Sequence, residues 1–251
     1  MPRRGAKKPY IPIDCQACQV RDIGICAPFS GEALGALETF KAAERMYAPG
    51  RDFLVQGESA DEFFTVLDGW AFLYELLEDG RRQILDFCLP GAFFGFQPDL
   101  SAPVTYSAQA LTDMSVCVFP RSRVADFVRQ HPELGLRMAC VAARDQYLAF
   151  RHLSNVGRRT ARERVASLLL ELFFRVRLHS PASSGDKIVI PLTQEHIGDA
   201  LGLTSVHVNR TLRQLREEKL LTLKGGSLQV LDPDRLAEVA GFESDVAFLR
   251  H

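Results

Sequence analysis

The segment PLTQEHIGDALGLTSVHVNRTLRQLREEKLLTLKGG, Pro191 to Gly226, constrains the fold more tightly than any other stretch of this 251-residue chain. Its spacing predicts a short helix over about Gln194 to Leu201, closed by Gly202, which can take the left-handed conformation a tight turn needs. Thr204 offers the N-cap of a second helix running through about Glu218. Two short helices across a glycine turn make a helix-turn-helix. Val208, Leu212 and Leu215 fall at i, i+4 and i+7 and turn to the core, which leaves Ser205, Val206, Asn209, Arg210 and Arg213 on the other side. Beyond them, LLTLKGGSLQV reads as a two-stranded wing turning at Gly225-Gly226.

The chemistry of that outer face suits a DNA major groove. Arg210 can bond guanine O6 and N7, Asn209 can read adenine N6 and N7, and Val206 can cover a thymine methyl. Arg213, Arg216 and Lys219 suit phosphates, which give affinity without sequence choice, and Lys224 in the wing is poised for the backbone. An ordinary helical hairpin shares the spacing but not the basic flanks and the wing. Charge follows the same division. Residues 31–157 carry 11 Lys and Arg against 17 Asp and Glu, and residues 158–230 carry 12 against 7, although the net charge is only −1. An acidic body joined to a basic C-terminal segment is expected when only the second part meets nucleic acid.

From about Arg45 to Pro120, short apolar runs alternate with turn signals at Asp68-Gly69, Asp79-Gly80 and Pro90-Gly91. They predict many short antiparallel strands rolled or closed on themselves, because so many strands must have their edges managed. After His131-Pro132 the texture changes to one long helix. Leu134, Met138, Val141, Asp145, Leu148, His152 and Asn155 recur on it at alternating intervals of four and three, the pattern of a two-chain seam. The same spacing serves a helix packed on its own β-domain. Asp145 is odd in such a seam: it either faces its own copy, weakening the contact, or stands in solvent on a slightly rotated face. Thr160-Ala-Arg-Glu163 has the form of a capping box, so a further helix starts there and residues 157–160 are the expected hinge. The polar stretch from Ser180 to Lys187 reads as the loop that closes it.

Three thiols in twelve residues, Cys15, Cys18 and Cys26, precede all of this. No apolar signal region follows the basic MPRRGAKKPY, and no run of about 18 apolar residues occurs, so a cytoplasmic protein without a membrane span is expected. Thiols stay reduced in that compartment, which points to metal or redox chemistry rather than disulfides. Four thiolates, two of them in a C-x2-C pair, satisfy a [4Fe–4S] cube, and four thiolates also satisfy tetrahedral zinc. Spacing alone does not separate the two. Cys88 in ILDFCLP and Cys140 on the long helix read as small buried hydrophobes, and Trp70 as core. The six histidines are scattered and no catalytic constellation stands out, so an enzyme is not expected.

The whole order of parts, over nearly all of residues 13 to 240, resembles the CRP/FNR family of bacterial transcription regulators, and within it the FNR branch of oxygen-responsive members. The resemblance implies an α+β chain: a cyclic-nucleotide-binding-like antiparallel β-roll, a long dimerisation helix and a C-terminal winged helix-turn-helix. The corresponding boundaries are 1–30 for a basic tail and cysteine segment, 31–131 for the β-roll, 132–157 for the helix, whose seam includes Met138, Val141, Asp145, Leu148 and His152, and 158–251 for the DNA-binding domain. It also implies a homodimer on a two-fold symmetric operator, with RNA polymerase as a partner. The stretch YSAQALTDMSVCVFP, with its Ala-Leu-(x)5-Cys pattern, supplies the fourth ligand of the branch, Cys117, beside Cys15, Cys18 and Cys26.

Three departures matter. The seven residues between Cys18 and Cys26 exceed the spacing of the best-known members. Members that bind cyclic AMP carry Arg-Ser where this chain has Tyr106-Ser107, which removes the bidentate phosphate partner and argues against cyclic AMP. The recognition helix has Val206-His-Val-Asn209-Arg210 where the branch shows Glu-x-x-Ser-Arg, so only Arg210 carries over. Without a cluster, the chain would be a zinc-containing or ligand-responsive regulator; an electron-transfer protein is the reading from another class.

Overall fold

The computed structural model describes residues 13–27, 29–97, 99, 101–179 and 187–242. The basic tail and most of the 180–187 loop lie outside the described residues. Helix α1 (Gly31–Phe40) leads into eight strands: β1 (Ala43–Tyr47), β2 (Asp52–Leu54), β3 (Glu62–Asp68), β4 (Ala71–Leu76), β5 (Arg82–Cys88), β6 (Phe93–Phe94), β7 (Ser107–Ala110) and β8 (Met114–Pro120). They form two antiparallel four-stranded sheets, ordered β1-β8-β3-β6 and β2-β7-β4-β5. Alternation along the strands separates the two faces of each sheet. Phe64, Val66, Val116 and Val118 of one sheet meet Ala71, Cys88, Ala108 and Ala110 of the other in the roll's interior.

Both outer faces are covered as well. Phe63, Leu67, Cys117 and Phe119 pack under α1, helix α2 (Val124–Gln130), the first turns of helix α3 (Pro132–Arg158) and the cysteine segment. On the far side, Phe72, Ile84 and Phe87 share a core with helix α4 (Ala161–His179) and the C-terminal domain. That domain continues with β9 (Lys187–Val189), α5 (Gln194–Leu201), α6 (Ser205–Glu217), β10 (Leu221–Lys224), β11 (Ser227–Val230) and α7 (Pro233–Ala240). The sheet order β10-β11-β9 makes the wing three-stranded, where the sequence suggested two; the third strand is only three residues long.

The capping box forms: Thr160 N donates to Glu163 Oε2 at 2.7 Å, and Glu163 N donates to Thr160 Oγ1 at 3.4 Å. Because α3 runs through Arg158, the break between the two long helices falls at Arg159 and Thr160, two residues beyond Gly157.

The roll and the DNA-binding helices are tied by polar contacts. Arg82 pairs with Asp199 at 2.7 Å, and Gln83 Nε2 donates to Ala200 O at 3.1 Å. Arg175 on α4 pairs with Asp86 at 3.0 Å and Glu171 at 3.3 Å, and donates to Phe87 O at 2.6 Å. The ionic groups around Arg175 therefore partner one another, as buried charges must.

The face of α3 expected to form the seam is turned to its own chain. Met138 and Val141 are buried among Ile25, Phe29 and Phe127. Leu148 packs toward the C-terminal core, and Asp145 and His152 line a cavity of about 720 Å³ between α3, the β-roll and α4. Asp145 is held by Arg144 at 2.8 Å, while burial pushes its carboxyl above the usual range. Met138 and Val141 are thus taken up by their own chain, whereas Asp145, Leu148 and His152 are only partly covered. The exposed apolar residues of α3 are Leu136, Tyr147, Phe150 and Leu153, with Cys140 and Ala143 between them. Cys140, expected to be buried, is exposed. Cys88 is buried in the roll, and Trp70 is partly buried against the C-terminal core.

Candidate metal centre and nucleic-acid interface

The cysteine segment is built from two short 3-10 turns, Cys15–Ala17 and Gly24–Cys26. Asp14 Oδ1 caps the first by accepting from Gln16 N at 2.7 Å. A buried ion pair anchors its start: Glu44 Oε2 accepts from Ile13 N at 3.1 Å, Glu44 Oε1 accepts from Lys41 Nζ at 2.6 Å, and Lys41 Nζ also donates to Ile13 O at 3.3 Å. Its end is fixed to the long helix, where Arg137 Nε donates to Gly24 O at 2.7 Å. Gly24 has φ +61°, and a Cβ there would stand 2.3 Å from Gly91 O, so this close approach to the roll demands glycine. Gly24→Ala is expected to cost about 1–3 kcal/mol of local stability. Hydrogen exchange should show residues 20–26 opening more readily while the roll's strands keep their protection.

Cys15, Cys18 and Cys26 pack against the apolar cluster to which Cys117 belongs, and all four are free thiols. Burial pushes Cys26 up to about 12, and the charges of Cys18 and Cys15 add to the rise. Cys117 is raised further, first by burial, with Glu44, Cys26 and Cys18 contributing. Lys41 opposes the rise at Cys15, Cys26 and Cys117, and Arg137 opposes it at Cys26. Four thiols on one side of the roll, with Lys41 and Arg137 nearby, are a donor set suited to soft metals. Among the described residues, no three or more His, Cys, Asp or Glu close round one point as a single ion requires. Binding a cluster or zinc would displace the thiol protons.

The second site is the face of α6. Thr193 caps α5 and Thr204 caps α6, each side chain accepting from the backbone three residues on, and Gly202 between them has φ +64°. Val208, Thr211, Leu212 and Leu215 are buried. Ser205, Val206, Asn209, Arg210, Arg213 and Arg216 are exposed on the other side, and Lys224 is exposed at the tip of β10. Val206 is 78% exposed, so a valine stands in solvent at the start of the helix that would enter a groove. Asn209 Nδ2 donates to Gln194 Oε1 at 3.2 Å, which brings Gln194, a residue absent from the expected set, to the edge of the reading face. Arg213 makes a loose pair with Glu217 at 3.8 Å. At the roll's nucleotide position, Tyr106 Oη accepts from Gly95 N at 2.8 Å and Ser107 Oγ accepts from Gln56 N at 3.0 Å.

An antiparallel roll joined through a long helix to a winged helix-turn-helix defines a DNA-binding transcription regulator. Residues 163–239 match the Crp-like helix-turn-helix domain, and residues 44–131 match the cyclic nucleotide-binding domain. The chain is 32% identical to the nitrogen fixation regulation protein FixK of Bradyrhizobium diazoefficiens, over 90% of this chain and 93% of that one. It is 34% identical to the transcriptional activator protein FnrL of Cereibacter sphaeroides, over 92% and 93%. The solved structure of FixK2 from Bradyrhizobium japonicum superposes with a TM-score of 0.72 at 30% identity, covering 78% of this chain and 96% of that one. The chain belongs to the CRP/FNR family of transcription regulators. No helix among the described residues is long and apolar enough to cross a membrane.

Proposed function

We propose that this regulator is a homodimer whose operator affinity depends on an oxygen-labile [4Fe–4S] cluster held by Cys15, Cys18, Cys26 and Cys117. One observation carries the reading: Cys15, Cys18 and Cys26, all free thiols, pack against the same apolar cluster that holds Cys117 and Leu134, Met138 and Val141 of α3. When bound, the cluster supplies a redox- and oxygen-sensitive crosslink. The chain's own residues do the rest. Arg137 and the apolar contacts around Ile25 and Phe29 link the cysteine segment to one face of α3, and the opposite face, from Leu136 to Leu153, carries the seam with the second copy. Without thiolate tethers the segment would be held only by its contacts at Ile13 and Gly24 and its apolar packing, and through Arg137 that difference would reach α3 and the paired α6 helices. The working units are the cysteine segment within 1–30, the sensor 31–131, the dimerisation helix 132–157 and the DNA-binding domain 158–251. Relatives named as transcriptional activators, FnrL among them, favour activation through RNA polymerase.

Iron and acid-labile sulfide measured after anaerobic purification should approach four of each per chain, about what a [4Fe–4S] centre contains, with a visible absorption that bleaches in air. A chain that takes up no iron under anaerobic reconstitution is not iron–sulfur controlled. The cavity beside Tyr106 and Asp145 then favours a small-molecule effector other than cyclic AMP, whose phosphate has no arginine at position 106. In either case Arg210 reads bases. Arg210→Ala should cost about 1–3 kcal/mol and relax selectivity at one base pair per half-site. Arg216→Ala should weaken binding evenly across sequences and lower the salt slope by about 0.9. Competition titrations at two salt concentrations separate the two effects.

A further inference from the structure

Thr65 lies in the middle of β3, is 1% exposed, and its Oγ1 has no hydrogen-bond partner. Its neighbours Phe63, Phe64, Val66 and Leu67 are all buried and apolar. A valine would fill the same space without stranding a hydroxyl, so the oxygen needs another explanation. The ladder register supplies one. Thr65 stands directly opposite Cys117 on β8, and Cys117 stands opposite Glu44 on β1. Directly opposed residues project to the same face with Cβ atoms about 4.5–5.5 Å apart. Glu44, Cys117 and Thr65 thus form a row across three strands beneath the cysteine segment. At one end both Glu44 oxygens accept, from Lys41 and from Ile13. Thr65, at the other end, is the donor left over.

We propose that the Thr65 hydroxyl donates a hydrogen bond to the sulfur of Cys117 when that sulfur serves as a thiolate ligand. Thr65 is then a positioning residue for the metal centre. The hydroxyl makes no hydrogen bond to Cys117 in this structure, so the bond requires Thr65 to turn about χ1, and a metal-bound thiolate is the stronger acceptor that would hold it there. Hydrogen bonds to the sulfurs of such a centre raise its potential, because they stabilise the more negative, reduced state. The inference rests on the iron–sulfur reading above and adds to it the residue that tunes the ligand carried by the sheet.

Thr65→Val and Thr65→Ser, prepared beside the parent and reconstituted anaerobically with ferrous iron and sulfide, test it. The valine chain without metal should be at least as heat-stable as the parent, since an unpaired buried hydroxyl has been removed. Once loaded, its centre should have a more negative potential and bleach in air roughly tenfold faster, the lower end of what losing an outer-shell partner costs. Serine should restore both. If the valine chain does not fold, Thr65→Ala, which also lacks the donor, is read in the same way. Potential and bleaching unchanged in a loaded chain without the hydroxyl would overturn the inference while leaving the cluster in place. A parent that takes up no iron would overturn the iron–sulfur reading and this inference with it.

Discussion

Cys117→Ser should leave the chain folded but reduce its iron, after anaerobic purification, from about four per chain to below about one. Anaerobic operator binding should fall with it to the level of the air-exposed parent. Cys117 is 8% exposed, at the centre of a ladder with β1 on one side and β3 on the other. A serine there buries a hydroxyl at a cost of about 1–3 kcal/mol. That is a fraction of the roughly 5–15 kcal/mol by which a domain is stable, so the roll survives. On the iron–sulfur reading the metal centre does not, because Cys117 is the one of the four proposed ligands that a sheet fixes. The other three lie in a segment held by two backbone anchors, at Ile13 and Gly24, and by side-chain packing. Cys88→Ser, in the roll's interior away from the cluster, and Cys140→Ser, on the exposed face of α3, are the controls and should keep their iron. Iron analysis and fluorescence anisotropy on a duplex selected by the anaerobic parent decide the matter. A Cys117→Ser chain with its full complement of iron and sulfide would remove this residue from the site.

What could be read from the sequence follows how local each signal is. The bounds of α5, the left-handed Gly202 and the Thr204 cap all stood in the sequence, because capping, glycine conformation and helical period act within a few residues. The turns at Gly69, Gly80 and Gly91, each with positive φ, marked out the strands for the same reason. Register across strands is not local. Nothing near Thr65 announces that it will stand beside Cys117, or that Glu44 will stand on the other side. Gln194 reaches Asn209 only once the two helices have crossed. Strand β9, three residues at the end of a polar stretch, is too short to show a period and forms because β11 offers it an edge. The cysteine spacing singled out three thiols, but the fourth came from family resemblance. Periodicity in α3 marked an apolar face that serves a second chain or the chain's own roll, and at Met138 and Val141 the chain itself packs on it. The helix carries two such faces, and small residues at Cys140 and Ala143 dilute the second.

Those two faces make opposite predictions. Phe150 is 59% exposed, in line with Leu136, Ala143, Tyr147 and Leu153 on the side of α3 turned away from the roll. Burying a leucine or phenylalanine fully is worth about 1.5–3 kcal/mol, so four large side chains from each of two copies supply a substantial seam. Phe150→Glu removes one and places like charges near a two-fold axis in a low-dielectric contact. The chain should stay folded and sediment as a monomer. Its operator affinity should then fall by about 10²–10⁴, the avidity lost when two half-sites are no longer held by one molecule. Affinity for a single half-site should change little, because α6 is untouched. Met138→Glu should behave in the reverse way. Met138 is buried among Ile25, Phe29 and Phe127 of its own chain, so an unpaired carboxylate there unfolds the junction of cysteine segment and helix instead of parting two folded chains. Sedimentation and thermal melts on the two variants assign the faces. A dimeric Phe150→Glu beside a folded, monomeric Met138→Glu would return the seam to the Met138, Val141, Asp145 face and require the roll to release α3 on assembly.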